Sequence, residues 1–328
     1  MDAKKARLEI APTDGRSTGK TLAGFTIWTN RDQTEENLAR RRERQGYPAM
    51  SIDTQLLDFK TSDNETLHGL LFTPRQQRSD LALLLVHGVA MNFYLPPLPT
   101  FAQALAEQGY HCFVINTRGH DWINRAGGDL FDFCGATYEK FEDSEKDYDG
   151  ALDELNKQGY KRFILVGHSL GCIKSLLYQG TRRHSDVIGV ISCSCPKQFY
   201  SARAAAQPEF RQAMEQAETL VAQGKGKEFL WAMASGAIAL FSAATYVNKY
   251  GKHENNDVRP HASRLGCPHL AIAGGAEHPF FPEYAKELAQ AGGASASYKI
   301  VPGSDHFYHG HEDEVIGILS DWLKQFKI

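Results

Sequence analysis

Phe163-Ile-Leu-Val-Gly-His-Ser-Leu-Gly-Cys172 decides how this chain is read. Four apolar residues run into Gly-x-Ser-x-Gly, and a helix-compatible stretch follows. An apolar run of this length suits a buried parallel strand. A serine at the strand-to-helix corner must take a strained backbone conformation, and the small residues two before and two after it leave room for the tight turn. The corner holds the Ser169 hydroxyl at the edge of a sheet. The helix behind it offers unpaired N–H groups and the positive end of its dipole to a developing negative charge.

The same alternation extends in both directions. Upstream, Gln55–Lys60 and Thr66–Phe72 read as strands around the turn-like 61–64. Leu81–Val86 is a second continuous apolar run, and His111–Asn116 reads as a further strand. Helices are expected at Pro97–Gln108 and Ser144–Lys157, with the helix after Ser169 stopping before Gly180. Downstream come the strand Val187–Ser192, then Pro268–Ala273, a helix at Pro282–Gln290, the strand Ser297–Val301 and a helix over Glu312–Phe326. Strands alternating with helices predict a mostly parallel, doubly wound α/β sheet with right-handed crossovers. Between Tyr200 and Lys249 the alternation stops in an Ala-rich stretch that reads as helical. The expected organisation is an arm over 1–50, a core over 51–196 and 263–328, and an inserted helical cap over 197–262. The arm includes the charge-dense Asp32–Arg44, which reads as a solvated helix.

Over roughly residues 53–328 the sequence resembles the α/β-hydrolase superfamily. The resemblance makes Ser169 the nucleophile, followed in chain order by an acid and a histidine. It makes His87-Gly-Val-Ala-Met-Asn92 the oxyanion loop, so that the backbone N–H groups of Val89 and Leu170 hold the oxyanion. It places the base after the last strand, in Val301-Pro-Gly-Ser-Asp-His-Phe-Tyr308, where His306 fits better than His309 or His311. The acid is expected after the penultimate strand, in Gly274-Gly-Ala-Glu-His-Pro279. Counting from Gly275 selects His278, and counting from Gly274 selects Glu277. Only a carboxylate can orient the imidazole and stabilise its protonated form, so chemistry favours Glu277. Asp305 and Asp257 stay as alternatives. The other strand end that carries the acid in some relatives, Ser192-Cys-Ser-Cys-Pro196, holds no carboxylate. His87 reads as a structural histidine, and Arg118, in Asn116-Thr-Arg-Gly-His-Asp121, as an anchor for neighbouring loops.

The activity implied is cleavage of a carboxylic ester, a thioester or an amide through an acyl-enzyme. Carbon–carbon bond hydrolysis or perhydrolysis with the same residues, or a non-catalytic binding relative, are the alternatives. Phe93, Tyr94, Trp231 and Phe241 are candidate pocket residues. No cofactor and no metal are expected; His306, His309, His311 and Glu312 match no metal-ligand spacing.

Composition excludes other classes. The 328 residues carry a net charge of −3, with 42% hydrophobic and 23% charged residues, which is ordinary globular usage and argues against a nucleic-acid binder. No apolar stretch reaches the eighteen residues of a membrane span, and Met1–Arg16 lacks the apolar core of a secretory signal. The six cysteines form no CxxC pair, so reduced thiols in a cytoplasmic protein are expected. The expected partner is a small-molecule ester-type substrate, with a homodimer as a candidate assembly.

Overall fold

A computed structural model describes residues 20–22, 25–27, 52–75, 77–125, 133–234 and 237–327. The chain divides into two units, Met1–Met50 and Ser51–Ile328. In the first, β1 (Lys20–Leu22) pairs with β2 (Phe25–Ile27) in an antiparallel hairpin. The helix expected over Asp32–Arg44 lies outside the described residues.

The second unit is built on one eight-stranded sheet. Its strands are β3 (Ile52–Lys60), β4 (Thr66–Pro74), β5 (Leu81–Val86), β6 (His111–Ile115), β7 (Arg162–His168), β8 (Val187–Cys193), β11 (His269–Gly274) and β12 (Ala296–Val301). The spatial order is β12-β11-β8-β7-β5-β6-β4-β3. All pairs from β6 to β12 are parallel, while β4 runs against both β3 and β6. The mostly parallel α/β sheet expected from the sequence is therefore present.

Side-chain alternation splits the core between the two faces. Leu81, Leu83 and Leu85 face α1 (Leu98–Glu107) and α9 (Glu312–Leu323) with Cys112, Val114, Ile164 and Val166. Ala82, Leu84 and Val86 face the other way, against α2 (Ser144–Lys157), α3 (Leu170–Arg182) and α8 (Phe280–Gly292). With both faces covered, β5 is buried throughout, which is why it reads as an unbroken apolar run. The α3 helix runs on to Arg182, because Arg183, not Gly180, takes the left-handed turn that ends it (φ 48°).

The order of connection fixes where a site can form. From β5 the chain moves to β6 on one side and returns to β7 on the other. The loops leaving β5 and β7 therefore diverge at a topological switch point, where the carboxyl edge of such a sheet opens a crevice.

The insert is not wholly helical, which corrects the reading of 197–262. Short α4 (Tyr200–Ala204) and α5 (Pro208–Ala222) lead into a hairpin of β9 (Phe229–Ala234) and β10 (Ala237–Ser242), followed by α6 (Ala243–Tyr250) and α7 (Arg259–Ala262). Ala, Met, Leu and Trp there are tolerated in either state, and tertiary packing decides for strand. Phe229 and Trp231 are exposed while Leu230 and Ala232 are buried, a period of two that no helix would give. The insert has its own core of Phe210, Met214, Leu230, Phe241, Tyr246 and Tyr250, among others.

Candidate active site

The turn after β7 has the conformation its sequence demands. Ser169 sits at φ 54° and ψ −122°, a left-handed φ that a serine adopts only under constraint. The constraint is close packing: a Cβ added at Gly171 would lie 2.1 Å from the Val86 carbonyl oxygen at the end of β5. Ser169 donates its N–H to the Cys193 carbonyl (2.9 Å), which ties the corner to β8.

Three side chains from separate loops meet here. His306 Nε2 stands 3.0 Å from Ser169 Oγ, and His306 Nδ1 stands 2.6 Å from Glu277 Oε1. The Glu277 side chain is 1% exposed and that of His306 25%. An ionised carboxylate can only accept, so the Nδ1 proton points to Glu277 and Nε2 is left free to accept the Ser169 proton. Glu277 folds back on the end of β11, where the Gly274 N–H donates to its Oε2 (2.6 Å).

The other residues considered from the sequence lie elsewhere in the hydrogen-bond pattern. His278 is exposed and meets Phe280 edge to face, with ring centroids 4.4 Å apart. Asp305 accepts from Phe307 N–H and His309 N–H and pairs with the His309 ring. Asp257 is engaged by Arg259 and Tyr284. His311 pairs with Glu314.

Behind the serine the loop after β5 passes close by, since a Cβ on Gly88 would lie 2.9 Å from Ser169 Cβ. Val89 is half-buried and Leu170 buried, and neither donates its N–H to a backbone carbonyl among the described residues. His87 holds this loop. Its Nδ1 lies 2.8 Å from the Gly88 carbonyl, and its Nε2 accepts from Thr117 N–H (3.2 Å). Burial and the nearby Lys174 ammonium push His87 down to about 3, so it stays neutral in these roles. His168 is likewise pushed down to about 3, by burial and by His306, and its Nε2 donates to the His306 carbonyl (2.9 Å).

The candidate pocket residues separate. Phe93 is half-buried and Tyr94 61% exposed, edge to face, on the segment following the Gly88 loop. Trp231 is 70% exposed on the hairpin. Phe241 is fully enclosed against Tyr246 and Tyr250, so it packs the insert and lines no opening.

Two charged networks brace the site. Arg118 donates through its backbone N–H and Nε to buried Asp147 (2.9 and 2.8 Å) and through both terminal nitrogens to Asp63. It is the loop anchor expected from the sequence. The second network was not foreseen. Lys174 of α3 and Lys249 of α6 each approach Glu139 to 2.6 Å, all three buried to within 1% exposure. Lys174 also donates to Thr117 Oγ1 (2.9 Å). Burial alone would raise Glu139, but the two ammoniums outweigh it and hold the carboxyl down at about 2. The available signal was Lys174 itself, a charge on the apolar helix Leu170-Gly-Cys-Ile-Lys-Ser-Leu-Leu177.

Among the described residues, no group of three His, Cys, Asp or Glu side chains is placed to hold a metal ion. All six cysteines are free thiols. No helix among those residues is long and apolar enough to cross a membrane.

Similar proteins agree with this architecture. Among curated proteins, none matches the sequence. The solved structures that resemble it include Est1E from Butyrivibrio proteoclasticus, at 14% identity and a TM-score of 0.59, covering 82% of this chain and 98% of that one. The α/β hydrolase GrgF from Penicillium sp. sh18 matches at 16% identity and 0.63, covering 83% and 98%. The Pyrococcus furiosus esterase Pf2001 matches at 14% and 0.56, covering 84% and 92%. At such identities the likeness is one of fold. A family model described as the alpha/beta hydrolase family matches residues 83–318, most of the sheet together with the corner serine and the loops that meet it, and the chain belongs to that family.

Proposed function

We propose that this chain is a serine hydrolase that cleaves a carboxylic ester, with Ser169 as nucleophile, His306 as general base and Glu277 as the acid that orients it. The observation that carries the reading is the unbroken chain Ser169 Oγ to His306 Nε2 (3.0 Å) and His306 Nδ1 to Glu277 Oε1 (2.6 Å). In the reaction Ser169 Oγ attacks the carbonyl carbon as its proton passes to His306 Nε2. The oxyanion is held by the Val89 and Leu170 N–H groups, donors that are typically worth about 3–4 kcal/mol of barrier each. The intermediate collapses with breakage of the ester C–O bond, and the leaving alcohol takes the proton from Nε2. Water then attacks the acyl-enzyme, again giving its proton to His306, and the carboxylic acid leaves as Ser169 recovers its proton. Tyr94 and Phe93 are the candidate walls of the substrate site that remain consistent with their exposure.

The test is labelling by a fluorophosphonate together with hydrolysis of short and long p-nitrophenyl esters. Wild type labels and turns over, and Ser169→Ala does neither. His306→Ala and Glu277→Ala each lose about 10³- to 10⁴-fold or more in rate. A folded wild type that neither labels nor hydrolyses any ester would defeat the assignment.

A further inference from the structure

We propose that Ser194 and Tyr308 are positioning residues that lock the Glu277 carboxylate onto His306; the proposal rests on the reading of Ser169, His306 and Glu277 as a catalytic triad. Ser194 Oγ lies 2.8 Å from Glu277 Oε2 and 2.7 Å from the Tyr308 hydroxyl. Both Ser194 and Tyr308 are fully buried. The proton count fixes the direction of the chain. Ser194 carries one O–H, and a carboxylate can only accept, so that proton goes to Glu277 and the Tyr308 O–H donates to Ser194 Oγ. Together with the Gly274 N–H, Ser194 loads Oε2 with two donors, leaving Oε1 for the His306 Nδ1 proton.

The backbone shows that these hydroxyls are held in place. Ser194 has φ 57° and Tyr308 φ 63°, left-handed values beside that of Ser169. Such conformations persist only where surrounding contacts over-determine them. Ser194, just past the end of β8, is pinned by its N–H to the Ile272 carbonyl of β11 (2.7 Å), and the Tyr308 ring packs on Phe101 and His168. A glutamate has one more rotatable bond than an aspartate, and a carboxylate free to turn about it would not keep its hydrogen bond to His306. The Ser194 hydroxyl removes that freedom, and Tyr308 removes it from Ser194.

The experiment measures fluorophosphonate inactivation of the full chain as kinact and KI, with thermal unfolding followed alongside. Ser194→Ala lowers kinact about 10- to 100-fold, the scale of a misaligned reacting group, with KI unchanged. Tyr308→Phe lowers it less, and the double variant is no slower than Ser194→Ala, because Tyr308 acts through Ser194. In a Glu277→Gln background Ser194→Ala adds nothing. If Ser194→Ala fails to fold, Tyr308→Phe, which removes one oxygen and keeps the packing, carries the test against Glu277→Gln. Folded variants with wild-type kinact, or a loss confined to KI, overturn the positioning role while the triad stands. A wild type labelled no better than Ser169→Ala overturns the triad, and the positioning role falls with it.

Discussion

Replacing Glu139 by glutamine keeps the shape of the side chain and removes the charge between two buried ammoniums. The structure gives the scale of the loss. Glu139 is held at about 2 against an ordinary 4.5, a gap of about 2.5 pH units, and at ~1.4 kcal/mol per unit that is about 3–4 kcal/mol. Lys174 and Lys249 are then left buried with no anion, and breaking a buried pair from one side generally costs about 3–5 kcal/mol. For a unit of this size that is a fall in Tm of about 6–20 °C. Thermal unfolding at pH 7 of wild type, Glu139→Gln, Lys249→Met and the double variant reads it directly. The double variant recovers part of the loss, since one of the two stranded charges is gone. The pH dependence has a definite sign. A carboxyl depressed in the folded state contributes stability that is full above 4.5 and lost as pH falls through about 2. The wild-type advantage over Glu139→Gln therefore narrows as pH drops below 4.5. A Glu139→Gln protein within about 1 kcal/mol of wild type, or a double variant no better than the single, would refute the reasoning.

Other expectations follow from single contacts. Gly88→Ala places a methyl 2.9 Å from Ser169 Cβ, closer than packed carbons allow, so the corner shifts: fluorophosphonate labelling falls by about tenfold or more, and unfolding in urea shows an overpacking cost of about 1–3 kcal/mol. Arg118→Ala strands buried Asp147, which burial already raises to about 6 against the pull of Arg118; unfolding in urea shows a loss of about 3–5 kcal/mol. Phe241→Ala empties the core of the insert and costs about 3–5 kcal/mol by the same measurement, whereas Trp231→Ser, at 70% exposure, stays within about 0.5 kcal/mol of wild type.

The sheet was legible because its central strands are buried on both faces. Leu81–Val86 and Phe163–Val166 carry no polar residue, and little but a central parallel strand has that composition. Ser169 was legible because the serine corner needs glycines at fixed offsets. Glu277 needed chemistry as well as spacing, since the sequence count fitted His278 equally well. The hairpin 229–242 was misread because its residues are acceptable to a helix and its period of two is only six residues long on each side. Phe241 was misassigned for the same reason, as strand alternation turns it into the insert. Ser194 carries no local signature, and in the Lys174–Glu139–Lys249 cluster only Lys174, a charge on an apolar helix, stands out in the sequence. Ser194 meets Glu277 across 83 residues, and Lys249 meets Glu139 across 110, and only the folded topology brings them together.

The strand order has a consequence for how the Ser169–His306 pair is assembled and lost. The histidine beside Ser169 lies 137 residues later in the chain, and it is carried past β12, which forms one edge of the sheet and is mostly exposed along its length. A sheet grown or frayed from that side holds a well-packed serine corner with nothing to take its proton. Edge elements with few buried contacts open at lower free energy than the centre. With Ser169 and His306 read as nucleophile and base, as proposed, the pair is expected to separate when this edge opens, and a molecule frayed there would be inert.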